Sequence, residues 1–319
     1  ARSAVSVRTA PRPAAEARPR SAAALWAFTR PHTIIGTTLG VLGLYAIATA
    51  ELPGVAMSDG LPDLGWTLLA AWCVNVYIVG LNQLEDVEID RINKPFLPLA
   101  SGALDAAAAR RIVAACAVVP VVLAVTQGAV ELAGVLTGLA VGTAYSVPPL
   151  RLKRFPLAAA LSITGVRAVV VNLAVALHFT ESLGDGSRTV PAAVWALCLF
   201  VVPFAFAISI LKDVPDAEGD RRFRIATFTL RLGPRRVMGI AMGALSAGYL
   251  GMAAAGPLLV PDAQPVVLVA GHLAALALLW RARLAADPED PAAATRFYMR
   301  VWALFFLEYL IVPAAALLG

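Results

Sequence analysis

The distribution of apolar and polar residues along the chain predicts nine membrane-spanning helices. Nine apolar runs, each of about 20 residues, are separated by short polar connections. They lie near residues 33–50, 64–84, 109–128, 130–147, 157–178, 191–211, 236–256, 264–281 and 299–318. A strand or loop exposed to lipid would leave backbone groups unpaired, so each run is expected to be helical. The runs also lack the alternating pattern of a membrane β-barrel.

The basic residues support this topology. Of the 26 Lys and Arg residues, all but two lie in the N-terminal tail or near the connections after the second, fourth, sixth and eighth runs. The exceptions are Arg188, in an opposite connection, and Arg167, inside the fifth run. Basic residues concentrate on one side of a membrane protein, and a miscounted span would scramble this alternation. We therefore predict an all-α integral membrane protein with its N-terminus on the basic face.

Composition agrees with a membrane protein. The chain is 59% hydrophobic and 15% charged, with a mean hydropathy of +0.76, whereas soluble domains are about 45–50% apolar and about 25% charged. The net charge of +5 follows the membrane topology and does not indicate nucleic-acid binding. The three cysteines lie inside apolar runs without paired spacing, which favours buried thiols over disulfides or a metal site.

The N-terminal segment, residues 1–25, differs from the membrane domain predicted over residues 26–319. It is rich in Ala, Arg, Ser and Pro, and Glu16 is its only acidic residue. It has no apolar core of a secretory signal, and its composition is typical of an organelle transit peptide, here already trimmed. A generic disordered basic tail is the alternative.

An acidic cluster follows the second span. Asn82, Asp86 and Asp90 have the spacing i, i+4, i+8, which covers about 80° of a helix surface. If the helix continues to Asp90, these residues form one polar stripe. Lys94 and Pro95 then mark its end, because proline cannot continue the hydrogen-bond ladder.

A second acidic cluster follows the sixth span, on the same face of the membrane. Asp213, Asp216 and Asp220 also share one side of a helix, and Pro215 either kinks that helix or lies in its first turn. Clustered carboxylates repel one another unless a cation neutralises them. Mg²⁺ binds one or two carboxylates together with substrate phosphates. Two such clusters therefore favour a magnesium-dependent diphosphate site over solvated acidic loops.

The motifs N-x3-D-x3-D and D-x2-D-x3-D, on even-numbered spans, resemble those of the UbiA family of intramembrane aromatic prenyltransferases, and especially its homogentisate prenyltransferases. Further similar stretches are RPHTIIGTTLG (30–40), GTAYSVPPLRLKRFP (142–156) and EYLIVP (308–313). Many relatives carry Asp at the position of Gln83, whereas the homogentisate enzymes tend not to. The resemblance, over about residues 26–313, implies a UbiA-type helical bundle around a central cavity.

The implied activity is Mg²⁺-dependent transfer of a prenyl group from an allylic diphosphate to homogentisate, with decarboxylation. The product is a methyl-prenyl-benzoquinol of tocopherol biosynthesis. The stretch IVGLNQLEDVEIDRINKPFLPLASG looks most like the phytyltransferases of this group, whereas YSVPPLRLKRFP leans towards the solanesyltransferases of plastoquinone synthesis. Phytyl is the favoured donor group. A transit peptide implies a plastid membrane, with the basic face towards the stroma.

The resemblance also suggests roles for individual residues. Five aspartates would bind Mg²⁺, with Asn82 as a neutral oxygen donor: Asp86, Asp90, Asp213, Asp216 and Asp220. Positive charge around the diphosphate would come from Lys153, Arg154, Lys212 and Arg91, near Tyr145. His32 is a candidate substrate contact. An arginine inside a span is costly, so Arg167 is expected to bind the homogentisate carboxylate or to anchor a buried network.

Several of these residues also have structural interpretations. Lys153 and Arg154 would equally serve to set the topology, and Tyr145 would fit an aromatic belt. A transporter is the main alternative class, but transporters place coupling residues near the membrane midplane. Hydropathy excludes a soluble prenyl diphosphate synthase. Chlorophyll synthases and 4-hydroxybenzoate prenyltransferases remain alternatives within the family.

Overall fold

The computed structural model describes residues 21–184, 186 and 188–319, and its regular structure is helical throughout this part of the chain. The helices are α1 (Ser21–Phe28), α2 (Pro31–Glu51), α3 (Leu61–Glu85), α4 (Val87–Asn93), α5 (Ala106–Gln127), α6 (Ala129–Ser146), α7 (Pro156–Leu183), α8 (Ala192–Leu211), α9 (Ala217–Arg222), α10 (Phe228–Leu232), α11 (Pro234–Leu259), α12 (Pro265–Leu284) and α13 (Pro291–Leu317). The tail predicted over residues 1–25 lies mostly outside the described residues, and its last five residues begin α1.

The nine predicted spans are confirmed. Among the described residues, nine helices are long and apolar enough to cross a membrane: α2, α3, α5, α6, α7, α8, α11, α12 and α13. Most ends agree with the sequence within three residues. The exception at a helix start is α13, which begins eight residues before the predicted position 299. Arg296 lies on this added part and Arg300 lies just after it, so hydropathy alone could not detect the true start.

The spans form a closed ring. Neighbours pack in the order α2, α3, α6, α7, α8, α11, α12, α13 and back to α2, while α5 packs outside α3 and α6. The most buried span is α8, whose Leu197, Phe200 and Phe204 join Tyr249 in the main apolar core. The remaining space lies among α2, α3, α6, α7 and α13, and it is the central cavity that the sequence predicts.

Glycines let α6 approach its neighbours closely. A Cβ atom at Gly142 would lie 2.6 Å from a side-chain atom of Ile78 on α3, and one at Gly134 would lie 2.7 Å from Cβ of Ala174 on α7. Any larger residue would force these helices apart. The wall of the cavity formed by α3, α6 and α7 is therefore tightly sealed.

Candidate active site

The central cavity has a volume of about 760 Å³, within the range of small-molecule sites. Its walls are mostly apolar, and one end is strongly charged. Both acidic clusters line that end, with all six of their candidate residues on the cavity wall: Asn82, Asp86, Asp90, Asp213, Asp216 and Asp220.

The first cluster spans a break between two helices and not a single continuous helix. Helix α3 ends at Glu85, and Asp86 adopts a non-helical conformation (φ −113°, ψ 15°) before α4 begins. The backbone ladder nevertheless continues, because Asp86 N–H donates to Asn82 O at 3.1 Å and Asp90 N–H donates to Asp86 O at 2.8 Å. The polar stripe therefore persists across the break.

The second cluster lies in the turn after α8 and in the short helix α9. Pro215 lies in this turn, where its missing N–H removes no helical hydrogen bond. A hydrogen bond joins the two acidic segments, in which Gly219 N–H donates to Asn93 Oδ1 at 2.8 Å. This bond places α9 against α4 and brings carboxylates from both halves of the chain to one cavity.

Asp86 is the most heavily paired carboxylate of the site. Its oxygens accept hydrogen bonds from Lys153 Nζ at 2.7 Å, from Arg151 Nη2 at 3.1 Å and from Asn82 Nδ2 at 3.1 Å. Sequence reasoning included Lys153 and missed Arg151. Both residues belong to the same basic loop after α6, and this shared loop was the available signal.

Two further aspartates are paired with lysines. Lys212 Nζ lies 2.5 Å from Asp213 Oδ1, and Lys94 Nζ contacts Asp216 Oδ2. Lys94 was interpreted from sequence only as part of a helix stop. The Asp216–Lys94 pair also connects the two acidic segments, because Lys94 follows α4 and Asp216 precedes α9.

Asp90 and Asp220 are buried without an ion pair among the described residues. Burial raises the pKa of Asp90 to about 6. Burial, together with the Asp213 and Asp216 carboxylates, raises the pKa of Asp220 to about 7. Burial is the main cause of both shifts, so a cation bound beside these carboxylates would stabilise their ionised forms.

The residues suit Mg²⁺ in the chemistry of their donors. All are carboxylate or amide oxygens, which Mg²⁺ prefers, and they face one cavity from two segments. Within the described residues, no three acidic, His or Cys side chains converge closely enough to hold a metal on their own. Mg²⁺ characteristically completes its coordination with water and substrate phosphates. The site therefore fits a metal that binds together with a diphosphate.

Arg91 and Arg154, predicted as diphosphate contacts, do not lie on the cavity wall. Arg91 pairs with exposed Glu88 on the outer side of α4, and Arg154 is exposed. Tyr145 does line the cavity, close to Lys212. Gln83 is turned away from the cavity, where its Nε2 donates to the carbonyl of Phe28 and fixes α1 against α3.

An aromatic chamber surrounds Arg167 further along the cavity. Arg167 lies in a π-helical turn of α7, and its guanidinium carbon is 4.7 Å from the ring centre of Trp302 and 5.4 Å from that of Phe305. Among the described residues, no carboxylate lies within ion-pairing distance of the Arg167 guanidinium, and Nε of Arg167 has no hydrogen-bond partner. His32 packs edge-on against Trp302 at 5.1 Å, and both line the cavity.

Comparison with known proteins extends over nearly the whole chain. The sequence profile of the UbiA prenyltransferase family matches residues 34–304. Homogentisate phytyltransferase of Synechocystis sp. is 46% identical over 92% of this chain and 95% of its own length. Homogentisate phytyltransferase 1 of Arabidopsis thaliana is 37% identical over 91% of this chain and 74% of its own length. Homogentisate solanesyltransferase of the same plant is 35% identical over 91% of this chain and 76% of its own length.

Solved structures share the fold. A UbiA homolog from Archaeoglobus fulgidus, solved with GPP and Mg²⁺, superposes with a TM-score of 0.59 at 17% identity, over 91% of this chain and 99% of that one. A UbiA homolog from Aeropyrum pernix superposes with a TM-score of 0.59 at 20% identity, over 90% of this chain and 98% of that one. The helical ring, its charged cavity and these matches together show that the chain belongs to the UbiA prenyltransferase family.

Proposed function

We propose that this chain transfers a phytyl group from its diphosphate to homogentisate, in tocopherol biosynthesis. A ring carbon of homogentisate forms a bond to the allylic carbon, whose C–O bond to diphosphate breaks. The ring loses a proton, the carboxyl group leaves as CO₂, and the side-chain carbon takes up a proton to become a methyl group. The observation that carries this proposal is the pair of facing aspartate segments at one end of an apolar cavity, supported by the names of the relatives.

The charged end suits the diphosphate. Lys153 and Lys212 line the cavity and already neutralise carboxylates there, so their ammonium groups are placed to bind phosphate oxygens. When bound, Mg²⁺ would supply electrostatic stabilisation of the diphosphate as a leaving group. Fixed charges inside a cavity of low polarity are worth more than the same charges in water.

The aromatic chamber suits the acceptor. Arg167 presents a buried guanidinium without an acidic partner in the described structure, and a guanidinium matches a carboxylate in a two-point hydrogen bond. Trp302 and Phe305 flank the guanidinium with their ring faces and hold it in place. The apolar walls exclude water, which would otherwise capture the allylic cation.

Two other functions are less well supported. A solanesyl donor is favoured by the stretch YSVPPLRLKRFP, but the Synechocystis phytyltransferase is the more similar relative, at 46% identity against 35% for the solanesyltransferase. A transporter would place its charged residues near the midplane of the membrane. Here the acidic residues collect at the ends of α3 and α8.

The test uses the purified chain with homogentisate, phytyl diphosphate and Mg²⁺. Asp86→Asn and Asp216→Asn should each lower kcat/KM by on the order of a hundredfold, because each removes charge from the diphosphate end. Glu88→Gln and Glu218→Gln are matched controls, since both side chains are more than half exposed on the short helices that follow these aspartates, and they should retain activity. A chelator should abolish turnover and added Mg²⁺ should restore it. Full activity in both Asn variants would refute the proposal.

The protein is an integral membrane protein, and we place it in a plastid membrane with the charged end of the cavity towards the stroma. The basic composition of residues 1–25 and the chloroplastic names of the plant relatives support this location. An antibody raised against this chain should label plastid membranes in the cells that produce the protein. A cytosolic signal would contradict the plastid assignment.

A further inference from the structure

We propose that the end of the cavity opposite the aspartates is a closed polar floor, which limits the donor to a prenyl tail of about twenty carbons. The inference rests on the proposed function for the chemical class of the donor. It adds the residues that set tail length, which no motif of the sequence identifies.

Two polar residues form this floor. Glu131, in the first turn of α6, is 5% exposed, and Thr67 on α3 is fully buried. Both line the cavity, and the Thr67 hydroxyl has no hydrogen-bond partner. Hydrocarbon packed against the Glu131 carboxylate would remove its remaining contact with water without replacing those hydrogen bonds, which is unfavourable. A prenyl tail should therefore end above them.

A polar network lies at the same end of the bundle. Asp63, in the first turn of α3, contacts His178 Nε2 at 3.1 Å and accepts a hydrogen bond from Ser182 Oγ at 2.5 Å. His178 is buried, so the cavity does not continue into an apolar channel in this direction. The network links α3 to α7 directly behind the floor.

The side wall near the floor is closed between α6 and α7. Gly134 and Ala174 approach so closely that a Cβ atom on Gly134 would lie 2.7 Å from Cβ of Ala174. On the other side of this contact is a separate groove between α6 and α7, lined by Leu177. The contact separates the cavity from that groove, so a long tail finds no exit between these two helices.

The depth of the cavity can be measured along two helices. Asn82 at the charged end and Thr67 at the floor are fifteen residues apart on α3, which is about 22 Å. Tyr145 and Glu131 are fourteen residues apart on α6, which is about 21 Å. The two helices give the same depth.

Tail lengths follow from bond geometry. An extended chain advances about 1.2 Å per bond, as the polypeptide backbone does. The main chain of a twenty-carbon prenyl group is then about 18 Å long, and that of a forty-five-carbon group about 42 Å. The first fits above the floor, whereas the second is about twice the available depth.

A filling substitution tests the depth. Ala71 lines the cavity eleven residues before Asn82, about 16 Å from the charged end. Ala71→Phe should lower kcat/KM for twenty-carbon donors at least tenfold, while a fifteen-carbon donor of about 13 Å still fits. Ala140→Phe is the matched control, because Ala140 is exposed on the lipid-facing side of α6, and it should leave the preference unchanged. An unaltered length preference in Ala71→Phe would overturn the proposal.

An opening substitution provides a second test that does not depend on tolerating a larger side chain. Glu131→Ala should admit a twenty-five-carbon donor of about 23 Å, which the unaltered chain uses at least tenfold less well than phytyl diphosphate. Unchanged discrimination against this donor would contradict a floor at Glu131.

Donor binding separates this inference from the proposed function. The rise in melting temperature on adding donors of fifteen, twenty, twenty-five and forty-five carbons is measured without homogentisate. Stabilisation should be greatest at twenty carbons, and Ala71→Phe should move the maximum to fifteen. This pattern without any product would leave the floor intact and refute prenyl transfer to homogentisate. If product forms but neither kcat/KM nor the rise in melting temperature depends on tail length, prenyl transfer is supported and the floor is refuted.

Discussion

At the scale of single residues, Arg167 shows what a sequence can and cannot reveal. A basic residue inside an apolar span is visible without a structure, and it points to a cavity or a partner. Its neighbours Trp302 and Phe305 lie more than 130 residues away in the chain, so only the fold reveals that aromatic rings and not a carboxylate hold it. The guanidinium therefore keeps its capacity to bind an anion.

We predict that Arg167→Met raises the KM for homogentisate by about ten- to a hundredfold, because a charged hydrogen bond worth about 1.5–3 kcal/mol is lost. The KM for the prenyl diphosphate should change little, since the diphosphate end is unaltered. Steady-state kinetics with each substrate varied in turn measures both. An acceptor analogue without the carboxylate, assayed as a competitive inhibitor, serves as the control and should bind both proteins equally. A rise only in the KM of the donor would exclude the assigned role.

The aspartates could be predicted because their spacing is a local property, but their partners could not. Helix α4 directs Arg91 outwards to Glu88, whereas Lys94, just beyond its last turn, reaches Asp216. Nothing in the sequence ranks Lys94 above Arg91. The same holds for Arg151, which contacts Asp86, and Arg154, which is exposed. Choosing between near neighbours requires the tertiary arrangement.

At the scale of elements, the site depends on how α4 and α9 meet. Gly219 N–H donates to Asn93 Oδ1, and a Cβ atom on Gly219 would lie 2.3 Å from that same oxygen. Only glycine permits this contact, because a Cβ atom would force the Asn93 side chain away and break the hydrogen bond. Because each helix carries an aspartate of its cluster, the spacing of Asp90 and Asp220 depends on this approach as well as on the Lys94–Asp216 pair.

We predict that Gly219→Ala lowers kcat/KM at least tenfold and raises the Mg²⁺ concentration needed for half-maximal activity, because the Asn93 side chain must turn away and its hydrogen bond between the two segments is lost. Gly239→Ala on α11 is the control, since its added Cβ would meet no atom within 4 Å. There, alanine should preserve activity and stabilise the helix by up to about 1 kcal/mol. Titrations of activity against Mg²⁺ compare the two variants, and identical curves would contradict this account.

The π-helical turn at Gly165–Val170 is an element that hydropathy cannot detect. The predicted fifth span covers it as uninterrupted helix, because a widened turn leaves the apolar pattern intact. The turn matters because it carries Arg167 and so sets the direction in which the guanidinium projects. The break at Asp86 between α3 and α4 also escaped prediction, because the spacing of Asn82, Asp86 and Asp90 is that of an uninterrupted helix. All three residues nevertheless lie on the cavity wall.

At the scale of the whole molecule, topology was predictable and closure of the ring was not. The nine spans and their alternation follow from hydropathy and charge along the chain. The contact of α2 with α13, which closes the ring, joins opposite ends of the sequence. No local pattern encodes it, and the cavity exists only because the ring is closed.

We predict that the charged end of the cavity faces the cytoplasm when the chain is expressed in bacteria, as its basic loops require. Ser101 and Ser58 lie in connections on opposite faces, and both are exposed. In a variant without native cysteines, Ser58→Cys should react with an impermeant maleimide on intact cells after the outer membrane is permeabilised. Ser101→Cys should react only after lysis. The reverse labelling would invert the topology.

The pairing of Asp86, Asp213 and Asp216 with lysine and arginine has a thermodynamic consequence. A metal ion arriving alone would displace these cations and leave them without a counter-charge, and a diphosphate arriving alone would do the same to the carboxylates. When both arrive together, the metal ion pairs with the carboxylates and the diphosphate pairs with the released lysine and arginine side chains. Every charge then remains compensated. Metal and donor should therefore bind cooperatively. Because such coupling is reciprocal, the factor by which metal tightens donor binding must equal the factor by which donor tightens metal binding.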